Sequence, residues 1–246
     1  MIKAWIRNVL RVCLFLFPFS VFLVTGKTLK EKYLENQAGI SEYDKIRTFI
    51  TGKEQQKLDG ENMLLPIIQE DLLIQENSDY AAWIYIPDTN ISYPVVLPKD
   101  NQFYLKRTFQ KEKNVCGCLF FDAGTGSPFS AENTIIHGHN MKSGAMFGSL
   151  KQYLRKEYAE EHSNLYIYRN GTWRSYHLFS VYLVSSQDPF PYQTTFLSEE
   201  DLQEYTQKVK KRNLIEIEQN DKLGADTLVT FSTCYEKNKK LIVVWK

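Results

Sequence analysis

At 246 residues the chain has room for one sizeable folded domain with appendages rather than a string of domains. Its 30 Lys and Arg against 29 Asp and Glu leave a formal net charge of +1, which excludes the strong single-sign field of a nucleic-acid binder, so any partner must be recognised locally. Four cysteines, Cys13, Cys116, Cys118 and Cys234, are too few and too unevenly placed for a disulfide scaffold. Cys116 and Cys118 are separated by a single glycine, too close for an easy bridge, and Cys234 has no evident partner.

At the N-terminus Lys3, Arg7 and Arg11 precede the uncharged run VCLFLFPFSVFLV at residues 12–24. The expectation is a signal anchor over residues 1–26, making a single-pass protein of the cell membrane. The basic flank predicts a cytoplasmic N-terminus and places everything after Lys27 outside the cell. The run is short for a span, which takes about 20 apolar residues; a cleaved signal peptide is the alternative, although no A-x-A site follows. Residues 27–76, rich in Lys, Glu, Gln and Leu, predict one or two helices forming a spacer, with Pro66 opening the segment IIQEDLLIQEN.

From residue 77 the pattern changes. WIYIPDTNISYPVV predicts two strands around a polar turn, and VCGCLFFD, NTIIHGH, NLYIYRNGTWRSYHLFSVYLV, LIEIE, DTLVTFSTC and LIVVW are further strand candidates, with Asn170-Gly171 marking a hairpin. MFGSLKQYLRKEYAEEH and LSEEDLQEYTQKVKKR have helical spacing, and Ser198 with Asp201 suggests a capped start for the second. Seven or eight short strands with interposed helices predict a mainly β protein with helical additions, closed or nearly closed into a barrel.

Two segments carry chemistry. DTLVTFSTC is an apolar run that ends on a thiol, followed by Lys237, Lys239 and Lys240 before the next apolar run. A strand end gives a nucleophile a rigid mount with solvent access; the bland alternative is a buried, inert cysteine. NTIIHGHN likewise ends a β-branched run on His137 and His139 around Gly138, giving a candidate acid/base group. The two histidines with Cys116 and Cys118 are alternatively metal ligands by type, but the spacing matches no zinc pattern, and no metal or other cofactor is expected.

These segments together resemble the sortases, class B among them: DTLVTFSTC followed by KLIVVWK, NTIIHGHNMKSGAMFGSL, the stretch NSDYAAWIYIPDTNISYPVVLPKDNQFYL and the motif FFD at residues 120–122. The resemblance covers residues 77–246, the expected catalytic domain. It implies a sortase-like eight-stranded β-barrel preceded by N-terminal helices, and a cysteine transpeptidase with Cys234 as nucleophile and His139, the histidine after glycine, as its acid/base partner. Where the family has an arginine opening the last strand this chain has Lys240, a point charge without the planar fork. Lys239 or a distant arginine such as Arg174 are alternatives for the cation.

The implied reaction is cleavage after threonine in a C-terminal sorting signal through a thioester, then transfer to an amine. The implied partners are a surface protein or pilin carrying the signal, an amine acceptor (peptidoglycan cross-bridge or pilin lysine) and the membrane through the N-terminal helix. Thr233, Tyr192, Thr194 and Phe196 are candidates for contact with the signal. A catalytically silent assembly factor and a hydrolytic cysteine protease are the rival readings.

Overall fold

The computed structural model describes residues 2–126, 128–217 and 227–246, with backbone only at residues 2–4, 6–13 and 15. Helix α1 (Ile2–Ile46) leads into a two-stranded hairpin, β1 (Ile50–Leu58) and β2 (Glu61–Ile68), and a short helix α2 (Glu70–Glu76). Eight further strands follow: β3 (Tyr80–Tyr85), β4 (Ser92–Val96), β5 (Leu119–Phe121), β6 (Asn133–His137), β7 (Asn164–Arg169), β8 (Thr172–Ser185), β9 (Leu228–Glu236) and β10 (Lys239–Trp245). They close into a barrel in the order β10-β8-β7-β3-β4-β5-β6-β9, the predicted fold class. Closure leaves no free strand edge. Helices α3 (Lys156–Glu161) and α4 (Glu199–Lys211) are the additions.

Period-two alternation of β-branched and aromatic residues produces the two faces of this sheet. On β9, Val229 and Phe231 point inward with Leu241, Val243 and Trp245 of β10, and join Ile84 and Ile136 in the barrel core. Phe231 stacks on Phe147 at 4.7 Å and meets Trp245 at 4.4 Å. The alternate residues Leu228, Ile242 and Val244 face outward and are covered by Tyr205 and Val209 of α4, in a second apolar cluster. Ser198 caps α4 by accepting from the backbone N–H of Asp201. The β7–β8 turn has positive φ at both Asn170 (50°) and Gly171 (77°), the backbone that an Asn-Gly pair supplies without strain.

Four expectations are corrected. Among the described residues no helix is long and apolar enough to cross a membrane, so the single-pass membrane location, with its cytoplasmic N-terminus and extracellular catalytic domain, is not sustained. The thirteen apolar residues 12–24 rise about 20 Å in a helix, against roughly 30 Å of hydrocarbon, and α1 then continues through Lys27, Lys30 and Lys32. Residues 50–68, expected to be helical, form the β1–β2 hairpin instead. Asp59 and Gly60 both take positive φ, 51° and 88°, and this Asp-Gly turn signal outweighs the helix-prone composition around it. Residues 214–217 of LIEIE are irregular rather than a strand, and Glu218 lies outside the described residues. Within VCGCLFFD only Leu119–Phe121 pairs, because Gly117 turns the chain at φ 62°.

The C-terminal end of α1 is fastened to the loop that precedes β5. Tyr43 donates to the carbonyl oxygen of Gly117 at 2.7 Å, and Asn114 Nδ2 donates to the backbone carbonyl oxygen of Glu35 at 2.7 Å. Phe231 is fully buried between two aromatic rings, so Phe231→Ala should lower the unfolding free energy by about 3–5 kcal/mol, read from the shift of a urea midpoint.

Candidate active site

Strand β9 lies between β10, antiparallel, and β6, parallel. A two-residue turn at Lys237 and Asn238, with φ 65° at Asn238, returns the chain so that Lys240 pairs directly with Cys234. The strand thus runs two residues beyond the thiol, and a bulge at Tyr235 offsets the register between Lys239 and Lys240. Directly opposed residues share a face, so the exposed Cys234 and the half-buried Lys240 project together on the outer face.

On the other side, His137 of β6 pairs with Ser232, and the N–H of Gly138 donates to the Ser232 carbonyl at 3.2 Å. His137–Ser232 is the last pair of this ladder, and His139 and Cys234 each follow it by two residues in their own segments. Gly138 is required for this path: a Cβ there would meet the Leu119 side chain and lie 2.6 Å from Phe147 Cδ2. Gly117 is similarly constrained, since a Cβ would lie 2.9 Å from His139 Cδ2. His139 Nε2 lies 2.5 Å from the carbonyl oxygen of Leu105. A carbonyl only accepts, so Nε2 carries a proton and the ring is fixed in one tautomer.

Of the residues singled out from the sequence, Cys234 and Lys240 are directly paired across β9 and β10, and His139 follows the end of the adjacent strand β6. The alternative cations are not paired with Cys234. Lys239 pairs with Glu236 at 3.2 Å. Arg174 pairs with Ile167, ten residues along β8 from Val184, the partner of Lys240, which is about 33 Å of strand.

The expected signal-contact residues separate. Tyr192 is half-buried beside Lys240, and Thr194 is half-buried in the following segment. Phe196 packs on Tyr205 at 5.0 Å within the outer apolar cluster. Thr233 alternates to the inner face, only 3% exposed, so its side chain does not share the face of Cys234. Cys116 and Cys118 are buried, and burial pushes their thiols up to about 11 and about 12, which opposes the thiolate a metal needs.

The sequence reading did not find the polar layer beneath the site. His137 Nε2 donates to Asp122 Oδ2 at 2.8 Å. Asp122 also accepts from Asn101 Nδ2 and from the Gly124 N–H, both at 2.8 Å. The His137 ring stacks on Tyr192, with centroids 5.8 Å apart. The signal was present in FFD and NTIIHGH, each with a polar residue at the end of an apolar run.

Comparison with known proteins agrees with this arrangement. Residues 84–246 match the sortase domain model. The chain belongs to the sortase family. Sortase B of Listeria monocytogenes is 32% identical over 247 aligned residues, covering 96% of each chain. A crystal structure of sortase B from Bacillus anthracis superposes with a TM-score of 0.72 at 27% identity, over 87% of this chain and 98% of that one. A Staphylococcus aureus sortase B–substrate complex superposes with a TM-score of 0.65 at 27% identity, over 72% and 82%. The fold and the family are those of a sortase, a transpeptidase that acts on sorting signals.

The His137 hydrogen bond holds the Asp122 carboxyl below its ordinary value, against the opposing effect of burial. A carboxyl lowered in the native state contributes stability that is full above its unfolded value and is lost as pH falls through the native one. Asp122→Asn should thus cost about 1–3 kcal/mol near neutrality, and the gap should close in acid. Urea titrations at about pH 7 and about pH 3 measure both; a gap that does not narrow would show that the Asp122 carboxylate does not contribute in this way.

Proposed function

We propose that this sortase cleaves a C-terminal sorting signal after threonine and transfers the acyl group to an amine, with Cys234 as nucleophile, His139 as acid/base and Lys240 as the cation. The observation that carries the reading is the shared outer face of β9 and β10, which exposes Cys234 directly opposite Lys240, with His139 two residues beyond the end of the adjacent strand β6. Residues 77–246 act as the catalytic domain.

The Cys234 thiolate attacks the threonine carbonyl carbon, forming a C–S bond and a tetrahedral oxyanion. Lys240 beside it offers N–H donors to the developing charge. Collapse breaks the C–N bond, and the imidazolium of His139 gives a proton to the leaving amine, so the products are a thioester and a free amine. In the second half the neutral imidazole takes a proton from an incoming amine as its nitrogen attacks the thioester, and the Cys234 thiolate leaves as an amide forms. Nε2 is committed to the Leu105 carbonyl, so Nδ1 is the nitrogen that gains and loses the proton.

The sorting-signal substrate is supported by the Staphylococcus aureus sortase B–substrate complex. The acceptor is an amine, either of a peptidoglycan cross-bridge or of a pilin lysine, because an amine out-competes water for a thioester and yields a stable amide. Mixing the protein with a fluorogenic sorting peptide, with and without a soluble amine, tests the reading: an amine adduct is expected. Cleavage without adduct indicates a hydrolase, and absence of cleavage a silent assembly factor.

Cys234→Ala should abolish cleavage and transfer, and mass spectrometry should find no acyl adduct. His139→Ala should lower kcat/KM by at least about a hundredfold, with His137→Ala less affected. Lys240→Arg supplies the two-pronged donor and should maintain or raise turnover, whereas full turnover in Lys240→Ala would remove Lys240 from the mechanism.

A further inference from the structure

A lysine standing where related enzymes are expected to use arginine faces a specific difficulty. Its ammonium is a compact charge on a flexible four-carbon stem, whereas a guanidinium fork is already oriented. Lys240 meets this with a fixed partner. Its Nζ donates to the Tyr192 hydroxyl at 2.8 Å, and Nζ lies 4.7 Å from the ring centroid.

Tyr192 is itself held from several directions. Its hydroxyl pairs with Ser232 Oγ at 2.9 Å, two residues before Cys234 on the same face. An ammonium only donates, so the hydroxyl oxygen accepts from Lys240, leaving the hydroxyl proton available to Ser232. The ring stacks on His137, which Asp122 fixes. On either side of Tyr192 in the chain, the carbonyls of Pro191 and Gln193 accept from Asn133 Nδ2 at 3.2 and 2.9 Å. Asn133 Oδ1 in turn accepts from Thr230 Oγ1 at 2.7 Å. The tyrosine is thus bolted to β6, which ends two residues before His139, and to β9, which carries Cys234.

We infer that Tyr192 is a positioning residue for Lys240: its hydroxyl aims the ammonium at the substrate carbonyl bound to Cys234, giving a lysine the orientation that an arginine carries in its own fork. One of the three ammonium N–H groups is used by Tyr192, and two remain for the developing oxyanion. This inference rests on the catalytic reading of Cys234 and Lys240 given above.

The test is a mutant cycle on the full chain, with Tyr192→Phe, Lys240→Ala and the double variant. Tyr192→Phe keeps the ring on His137 and removes only the hydroxyl. It should lower kcat for transfer by about tenfold, the effect of one charge-assisted hydrogen bond, with little change in KM and unchanged thermal unfolding. In the Lys240→Ala background the same substitution should cost less than about twofold, because there is no longer an ammonium to aim. In the Lys240→Arg background the loss should likewise shrink.

The rate of Cys234 alkylation by iodoacetamide provides a second reading of the cycle that needs no turnover. Equal losses with and without Lys240, or a loss confined to KM, overturn the positioning role and make Tyr192 a direct substrate contact. Transfer retained by Cys234→Ala overturns instead the reading on which it rests.

Discussion

The structure depends on one strand being shared. β9 pairs on one side with β10 and on the other with β6, and these two ladders fix the frame of the proposed site. The antiparallel ladder sets Lys240 against Cys234, and the parallel ladder ends at His137, two residues before His139. Because the barrel is closed, these strands have no edge along which to slip, and a one-residue slip would turn every outward group inward. The inner face enforces the same register. Val229, Phe231, Leu241, Val243 and Trp245 fill the core only when Ser232, Cys234 and Lys240 point the other way.

The outer face serves two ends. Toward the start of β9 it is apolar and covered by α4. Toward Cys234 it becomes polar, and the segment before α4 contributes Tyr192 instead of further apolar cover. The change falls at Asn133, Thr230 and Ser232, whose side chains fasten that segment to the sheet. Side chains that are donors and acceptors by turns allow a polar layer to be buried at little cost, because each group has a partner. A reactive thiol can then sit at the margin of a covered surface, open to substrate on a rigid support.

Close approach is the second constraint. Gly138 and Gly117 stand where no Cβ fits, and both bring backbone against the surroundings of His139. Helix α1 reaches the same loop through Tyr43 and Asn114, so its C-terminal end adds to the packing behind the histidine. Its apolar N-terminal stretch is a separate matter, too short in rise to cross a bilayer.

The barrel class, the Asn170-Gly171 hairpin, the capped helix at Ser198 and the placing of Cys234 toward the exposed end of a strand were legible in the sequence, because each is a local signal. Alternation of period two, a turn that needs positive φ and a polar residue ending an apolar run depend only on near neighbours in the chain. The Asp59-Gly60 turn was equally local but was outweighed by the helix-prone composition around it, and Thr233 lost its place among the signal contacts once the strand's face was fixed. What only the tertiary structure decided is non-local: that Lys240, not Lys239 or Arg174, stands opposite the thiol, and that Tyr192, 48 residues from Lys240 along the chain, holds its ammonium. Strand neighbours, register and face come from hydrogen bonds and packing between distant segments, and no stretch of sequence contains them by itself.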